Sequence, residues 1–131
     1  IGKVEYDKAV DVSAIISKHC MIGVGSVVMQ GAVIQSCAKI CDHVIINTGA
    51  TIDHDCIIYN FAHISPNATL CGNVEIGEGT HIGAGAVVAP NLRIGNWCKI
   101  GAGAVIISDV PDYSVIVGNP GRIIKNVQNG K

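Results

Sequence analysis

One histidine of this sequence stands between two carboxylates. His54 lies in the segment TIDHDC, with Asp53 before it and Asp55 after it. A carboxylate beside an imidazole can fix the tautomer of the ring and raise its basicity, which is what a general base requires. The triplet therefore makes His54 a candidate general base. A solvated surface histidine is the alternative that the triplet alone leaves open.

Other small and titratable residues recur at a spacing of three hexapeptides. Three pairs show it: Gly72 follows His54, His81 follows His63, and Ala102 follows Ala84. A glycine stacked on His54 would let a ligand approach the backbone closely. Stacked alanines would line a narrow track of backbone groups, although ordinary packing at a corner would also explain them. Both interpretations require a fold whose chain returns to the same place after every third hexapeptide.

The hydrophobic pattern indicates such a fold. Every sixth residue from Val10 to Ile106 is Val, Ile or Leu, which makes seventeen consecutive matches. The residue four positions after each of them, from Ala14 to Val110, is almost always small. This alternation of large and small residues predicts one short strand and one corner in each hexapeptide, with both residue types facing the interior.

Three hexapeptides can close a triangular coil, and successive coils then stack as parallel strands. The sequence thus predicts an all-β, parallel β-helix of about five to six coils. Its repeats span residues 10–110, a leading segment covers 1–9, and a C-terminal strand and tail cover 111–131. A chain of 131 residues suits one such domain and leaves little room for two.

The charge and the cysteines argue against several classes of function. A formal net charge of −1 gives no basic stripe, so binding to nucleic acid is not expected. The sequence has no run of about 18 apolar residues and no signal-peptide pattern at its start, so we expect no membrane insertion. Its six cysteines include no CxxC pair. Free thiols in a reducing cytoplasm are therefore expected, with a disulfide framework or a zinc knuckle as alternatives.

Four motifs follow one another in the central coils: NTGA, HDC, HISPN and GNV. In this order, and over roughly residues 10–125, the sequence resembles the hexapeptide-repeat acetyltransferases of the sialic-acid O-acetyltransferase and bacterial UDP-amino-sugar N-acetyltransferase group. The resemblance implies a left-handed β-helix and a homotrimer with the coenzyme A cleft between neighbouring prisms. It also implies direct transfer of an acetyl group from acetyl-CoA to an amine or hydroxyl of a sugar, such as a nucleotide-activated one.

The resemblance also implies roles for the residues around the histidine triplet. His54 matches the proton acceptor, and Asp55 matches the acidic residue that raises its basicity, where the family more often has the longer Glu. Gly72 matches a glycine whose backbone N–H faces the thioester carbonyl. That N–H would stabilise the oxyanion formed during transfer.

A second group of residues matches the acetyl-CoA contacts of the family. His63, in the HIS triplet, matches a histidine that contacts acetyl-CoA, and Ala84 and Ala102 match positions that line the pantetheine arm. Beyond the GNP turn, Arg122 and Lys125 match the end of the prism near the nucleotide part of coenzyme A. Acetyl-CoA is therefore the expected donor.

The chain differs from this family at its start, because it begins almost at the first coil. The N-terminal domain that binds the nucleotide-sugar in family members is therefore expected to be absent. Several alternatives stay open at this point. The transfer could be a sialic-acid-type O-acetylation, or the protein could be a non-catalytic trimeric scaffold. A zinc carbonic anhydrase of the same fold needs three histidines, and its close HxxxxH pair is missing.

Overall fold

The computed structural model describes residues 7–127, and every regular element in that part of the chain is a strand. Seventeen two-residue strands follow one another at regular intervals of one hexapeptide, and two longer strands end the chain. The strands are β1 (Ala9–Val10), β2 (Ile15–Ile16), β3 (Met21–Ile22), β4 (Val27–Val28), β5 (Val33–Ile34), β6 (Lys39–Ile40), β7 (Ile45–Ile46), β8 (Thr51–Ile52), β9 (Ile57–Ile58), β10 (His63–Ile64), β11 (Thr69–Leu70), β12 (Glu75–Ile76), β13 (His81–Ile82), β14 (Val87–Val88), β15 (Arg93–Ile94), β16 (Lys99–Ile100), β17 (Val105–Ile106), β18 (Ser114–Val117) and β19 (Arg122–Asn126).

The strands form three parallel sheets, which are the faces of a triangular prism. The first face has the order β1-β4-β7-β10-β13-β16-β18-β19, the second β2-β5-β8-β11-β14-β17, and the third β3-β6-β9-β12-β15. Consecutive strands therefore lie on different faces, and each strand from β1 to β14 pairs with the strand three places later. The prediction of an all-β parallel β-helix of about six turns is confirmed. The described residues include no helix that could span a membrane.

The interior of the prism contains both residue series that the pattern predicted. The aliphatic series is buried from Val28 to Ile106, and small residues such as Ala50 and Ala68 are buried at the corners. Within the regular repeats Ser26 and Thr80 hold hydroxyls at interior positions instead, and each of these hydroxyls bridges two coils. Thr80, for example, donates from Oγ1 to the Gly95 carbonyl at 2.6 Å and accepts the Cys98 N–H at 3.0 Å. These bonds satisfy polar groups that burial would otherwise leave unpaired.

From His19 to Gly103, each corner is a tight turn with a left-handed residue at its third position. Asp55, Asn67, Asn73 and Asn91 all have φ between 60° and 65° there. Such turns place the backbone N–H of the preceding residue on the outside. Proline, which lacks that N–H, occupies this position before Asn67 and Asn91.

The last corner departs from the regular repeat. Val110 was expected in the small series, but it bridges to Ile94 and so occupies a position of the large interior series. The pairing of Lys99 with Val115 is shifted in the same way. This corner is two positions shorter than the others, which changes the register, and Val110 is buried accordingly.

The chain then turns back on itself. Strand β18 continues the first face, and β19 pairs with it in antiparallel fashion after the turn at 118–121. The sequence pattern predicted the strand and the turn but gave no sign of the returning strand. Parts of the predicted leading segment and tail, residues 1–6 and 128–131, lie outside the described residues.

Candidate functional site

His54 lies at the corner that joins the second face to the third, here called the His54 corner. Strand β8 ends at Ile52, and the turn that follows presents both His54 and Asp55 to solvent. The Nδ1 atom of His54 is 3.0 Å from Oδ2 of Asp55. When Nδ1–H donates to this carboxylate, the proton of the neutral ring is on Nδ1 and Nε2 is free to accept one. The shorter Asp side chain therefore reaches the imidazole.

Gly72 lies on the next coil, directly against the His54 ring, as the spacing of three hexapeptides predicted. A Cβ atom built on Gly72 would be 2.5 Å from Nε2 of His54 and 2.7 Å from Cε1. The φ of Gly72 is not in the left-handed region, so the glycine is needed for space rather than for turn geometry. Within residues 7–127 the backbone N–H of Gly72 has no acceptor. A proton-accepting nitrogen and an unused N–H donor are thus adjacent.

His63 lies on the first face, in strand β10, and is half-buried. Its ring stacks on that of His81, the register partner in β13, with centroids 4.5 Å apart and planes at 24°. The sequence spacing predicted this stack correctly. Both histidines lie on a flat face of the prism and not at an edge, because they occupy strands rather than turns.

Asn47 fixes the protonation of His63. Its Nδ2 is 3.3 Å from Nε2 of His63, and its Oδ1 accepts the Thr48 N–H at 2.7 Å. The Thr48 contact fixes the orientation of the amide, so the NH₂ group faces the imidazole. An amide nitrogen only donates, so Nε2 of His63 must accept and the ring proton must be on Nδ1.

Burial, and secondarily the neighbouring His81, lower the pKa of His63 from the ordinary histidine value. Both effects agree with the neutral tautomer that Asn47 selects. Sequence reasoning quoted Asn47 in the NTGA motif but gave it no role. Its position on the coil before that of His63, one place after a strand, could have indicated the contact.

Ala84 and Ala102 lie at the corner that joins the first face to the second, here called the alanine corner. Both side chains are exposed, and neither backbone N–H has an acceptor within residues 7–127. The corner therefore presents two stacked, unobstructed N–H donors about 5 Å apart along the prism axis. Arg122 begins β19 at the C-terminal end of the adjoining first face and is exposed.

A single chain does not bring all of these residues together. In a triangular prism the His54 corner lies opposite the first face, since that corner joins the other two. His54, Asp55 and Gly72 form one group, whereas His63 and the alanine corner form another on a different side of the prism. A groove of about 640 Å³ runs along the His54 corner and is lined by His54 and Asp55 together with His19, Cys37, Lys39 and Asn73, among others. The first-face residues are not part of it.

The thiol that follows the His54 triplet is buried, and the described residues include no group suited to hold a metal ion. All six thiols are free, and burial raises the pKa of the Cys56 thiol to about 11. A thiol of that kind is a poor nucleophile near neutral pH. Among residues 7–127, no three His, Cys, Asp or Glu side chains are grouped so as to hold a metal ion.

Comparison with known proteins shows what this arrangement is similar to. Residues 55–90 and 73–108 match the family described as bacterial transferase hexapeptide (six repeats). No curated protein matches the sequence. The acetyltransferase domain of PglB from Neisseria gonorrhoeae, solved in complex with acetyl coenzyme A, is 43% identical with a TM-score of 0.91, over 92% of this chain and 58% of that one.

Two other solved structures are similar over nearly the same residues. A histidine mutant of perosamine N-acetyltransferase from Caulobacter crescentus, in complex with CoA and GDP-perosamine, is 37% identical with a TM-score of 0.92, over 93% of this chain and 58% of that one. WeeI from Acinetobacter baumannii is 32% identical with a TM-score of 0.84, over 86% of this chain and 56% of that one. The chain thus spans a little under three fifths of the length of these relatives.

The contact between Asn47 and His63 leads to a prediction with a definite sign. Asn47→Asp should raise the pKa of His63, because a carboxylate accepts from Nε2–H and adds a negative charge beside the ring. Nuclear magnetic resonance titration of the histidine rings measures this pKa directly. The matched control is Asn60→Asp, another amide whose Oδ1 caps a backbone N–H, that of Asp42. An unchanged His63 titration in Asn47→Asp would contradict the contact between Asn47 and His63.

Proposed function

Because this chain belongs to the hexapeptide-repeat acetyltransferases, we propose that it transfers the acetyl group of acetyl-CoA to an amine of a nucleotide-activated sugar. The observation that carries the proposal is the adjacency of the His54 Nε2 atom and the unused Gly72 N–H. The relatives support the choice of substrates. The PglB acetyltransferase domain binds acetyl coenzyme A, and perosamine N-acetyltransferase binds CoA and GDP-perosamine.

In the proposed reaction the acceptor amine attacks the thioester carbonyl carbon, and a C–N bond forms. Nε2 of His54 takes the proton that the amine nitrogen loses, and Asp55 stabilises the resulting imidazolium through Nδ1–H. The negative charge that develops on the carbonyl oxygen is stabilised by the Gly72 N–H. When the C–S bond breaks, coenzyme A leaves as a thiolate and is protonated by the imidazolium, so the base is restored.

The alanine corner supports a role in holding the donor. The pantetheine arm of coenzyme A carries two amide groups, whose carbonyls can accept from the free N–H groups of Ala84 and Ala102. The small side chains leave the backbone accessible to a ligand. His63 would present its Nδ1–H to the acyl end, and Arg122 would lie toward the phosphates. The free thiols agree with a cytoplasmic enzyme, where reducing conditions keep them unpaired.

We further propose that the protein is a homotrimer, and the character of the second face supports this. The strands of that face contain no charged residue, and the side chains of Val33, Thr51, Thr69, Val87 and Val105 on its outside are only partly exposed. The first face carries Lys99 and the third carries Lys39, Glu75 and Arg93. A flat, uncharged face of β-branched residues suits contact with copies of itself.

A threefold axis beside the second face would also complete the site. The two ends of that face are the His54 corner and the alanine corner. Rotation about such an axis brings the His54 corner of one subunit next to the alanine corner of its neighbour. The base would then meet the N–H groups of the alanine corner, here called the donor track because they would hold acetyl-CoA. The two meet between two chains, which no arrangement within one chain allows.

The first prediction for the reaction concerns the base. His54→Asn should lower kcat by about 10²- to 10⁴-fold and leave the affinity for acetyl-CoA nearly unchanged, because a general base acts in the chemical step. Steady-state kinetics and calorimetry measure the two effects. His43→Asn, at the turn of a different corner where the positive φ of His43 also suits Asn, serves as the control. Asp55→Asn, which suits the positive φ of that position, should lower kcat by less than His54→Asn does. A larger loss of kcat in Asp55→Asn would contradict the supporting role of Asp55.

A second prediction concerns the space above Gly72. Gly72→Ala should keep the fold, because the backbone conformation there is open to any residue, yet its Cβ must displace the His54 ring. Turnover should fall by about 10²-fold or more, since both the base and the oxyanion donor are disturbed. The thermal midpoint of unfolding should change by only a few degrees. The substitution should weaken the binding of acetyl-CoA more than it weakens the binding of free CoA. Normal turnover in a folded Gly72→Ala protein would place the reaction elsewhere on the prism.

A third prediction tests the shared site. His54→Asn and Ala84→Phe should each be nearly inactive alone, the first without a base and the second with a blocked donor track. When the two chains are co-expressed, about one quarter of the interfaces in random trimers combine the two intact halves, so about that fraction of activity should return. No recovery, or a particle of monomer mass in sedimentation equilibrium, would contradict the shared trimeric site.

A further inference from the structure

His81 covers one face of the His63 ring, which the proposed reaction uses. Its imidazole lies 4.5 Å from that of His63 between centroids, nearly parallel to it, and it is the more exposed of the two. On the other side of His63 the register partner in strand β7 is Ile45. The His63 ring therefore lies between an aliphatic side chain and a second imidazole, both placed by the parallel register of the first face.

The position of His81 is itself fixed by a buried side chain. Its Nε2 is 2.9 Å from Oγ of Ser65, and Ser65 is only 6% exposed. This contact is equivalent to that between Asn47 and His63 one coil earlier. In both cases the polar residue is 16 positions before the histidine that it contacts. A serine hydroxyl can donate or accept, so Ser65 anchors the ring in either tautomer. The next residue of the column, Lys99, is the register partner of His81 on its other side.

We propose that His81 is a positioning residue, which packs its Ser65-anchored ring against His63 and so fixes the direction in which the Nδ1–H of His63 points. Asn47 holds only one atom of the His63 ring, and a ring held at one atom can still rotate about its Cα–Cβ and Cβ–Cγ bonds. The stacked ring blocks that rotation. A fixed donor loses less entropy when it binds an oxygen than a mobile one does.

This inference rests on the proposed function, in which His63 donates to the acyl end of acetyl-CoA. If so, the effect of His81 should be limited to ligands that carry the acyl group. His81→Ala should weaken binding of acetyl-CoA by about three- to tenfold, the amount expected for one hydrogen bond, and leave binding of free CoA unchanged. His81→Phe keeps a flat ring over His63 and should restore the affinity for acetyl-CoA. A general loss of structure would instead weaken both ligands alike.

Nitrogen-15 shifts of the histidine rings give a readout that needs no ligand. In the unmodified protein and in His81→Phe, His63 should be a single neutral tautomer with its proton on Nδ1. In His81→Ala the ring of His63 is free to rotate away from the Asn47 amide, so its nitrogen shifts should move toward the average of the two tautomers. Lys99→Ala is the matched control, because it removes the other register partner of His81 without touching His63, and it should leave the tautomer unchanged.

The outcomes separate this inference from the proposed function. If the unmodified protein fails to bind acetyl-CoA, the proposed function is wrong, and the nitrogen shifts alone decide whether His81 orders His63. If acetyl-CoA binds, but His81→Ala retains both the single tautomer and full affinity, the positioning role is overturned.

Discussion

The backbone hydrogen bonds between successive coils are the constraint on which the whole structure depends. The Asp53 N–H donates to the Leu70 carbonyl at 3.0 Å, and Cys71 repeats the bond to Val88 one coil later. Each such bond fixes the register at three hexapeptides, so every side chain lies above the one at the same position of the preceding coil. The aliphatic interior, the histidine stack of the first face and the contact of His54 with Gly72 are all consequences of this one register.

The proposed reaction uses the corners because their backbone N–H groups are not all bonded within the fold. A turn with a left-handed third residue leaves the preceding N–H outside the ladder of bonds between coils. At some corners a side chain covers this donor, as Asn60 does for Asp42, or proline removes it, whereas the N–H groups of Ser36 and Asn60 are also left uncovered within the described residues. At Gly72, Ala84 and Ala102 the donors are left uncovered within the described residues. Small residues at these turns leave the donors accessible, and the proposed reaction depends on that access.

The proposed enzyme depends on assembly for the same geometric reason. A triangular prism separates residues that are half a coil apart, and no loop within the described part of this chain reaches from one side to the other. The uncharged second face connects the two groups of functional residues only when another copy lies beside it. Trimerisation would then serve two purposes, since it covers β-branched side chains and joins the base to the donor track.

The hexapeptide period by itself determined the fold, the interior and the stacking of Gly72 on His54, because each follows from residue spacing in a regular repeat. Spacing could also have shown that His54 and His63, half a coil apart, lie on opposite sides of the prism. Other features were decided only by the tertiary structure. The shortened last corner and the returning strand β19 break the period, so no repeat could predict them. The tautomer of His63 depends on which end of the Asn47 amide faces the ring. That orientation is set by the side-chain torsions and by the Thr48 N–H, neither of which follows from residue spacing.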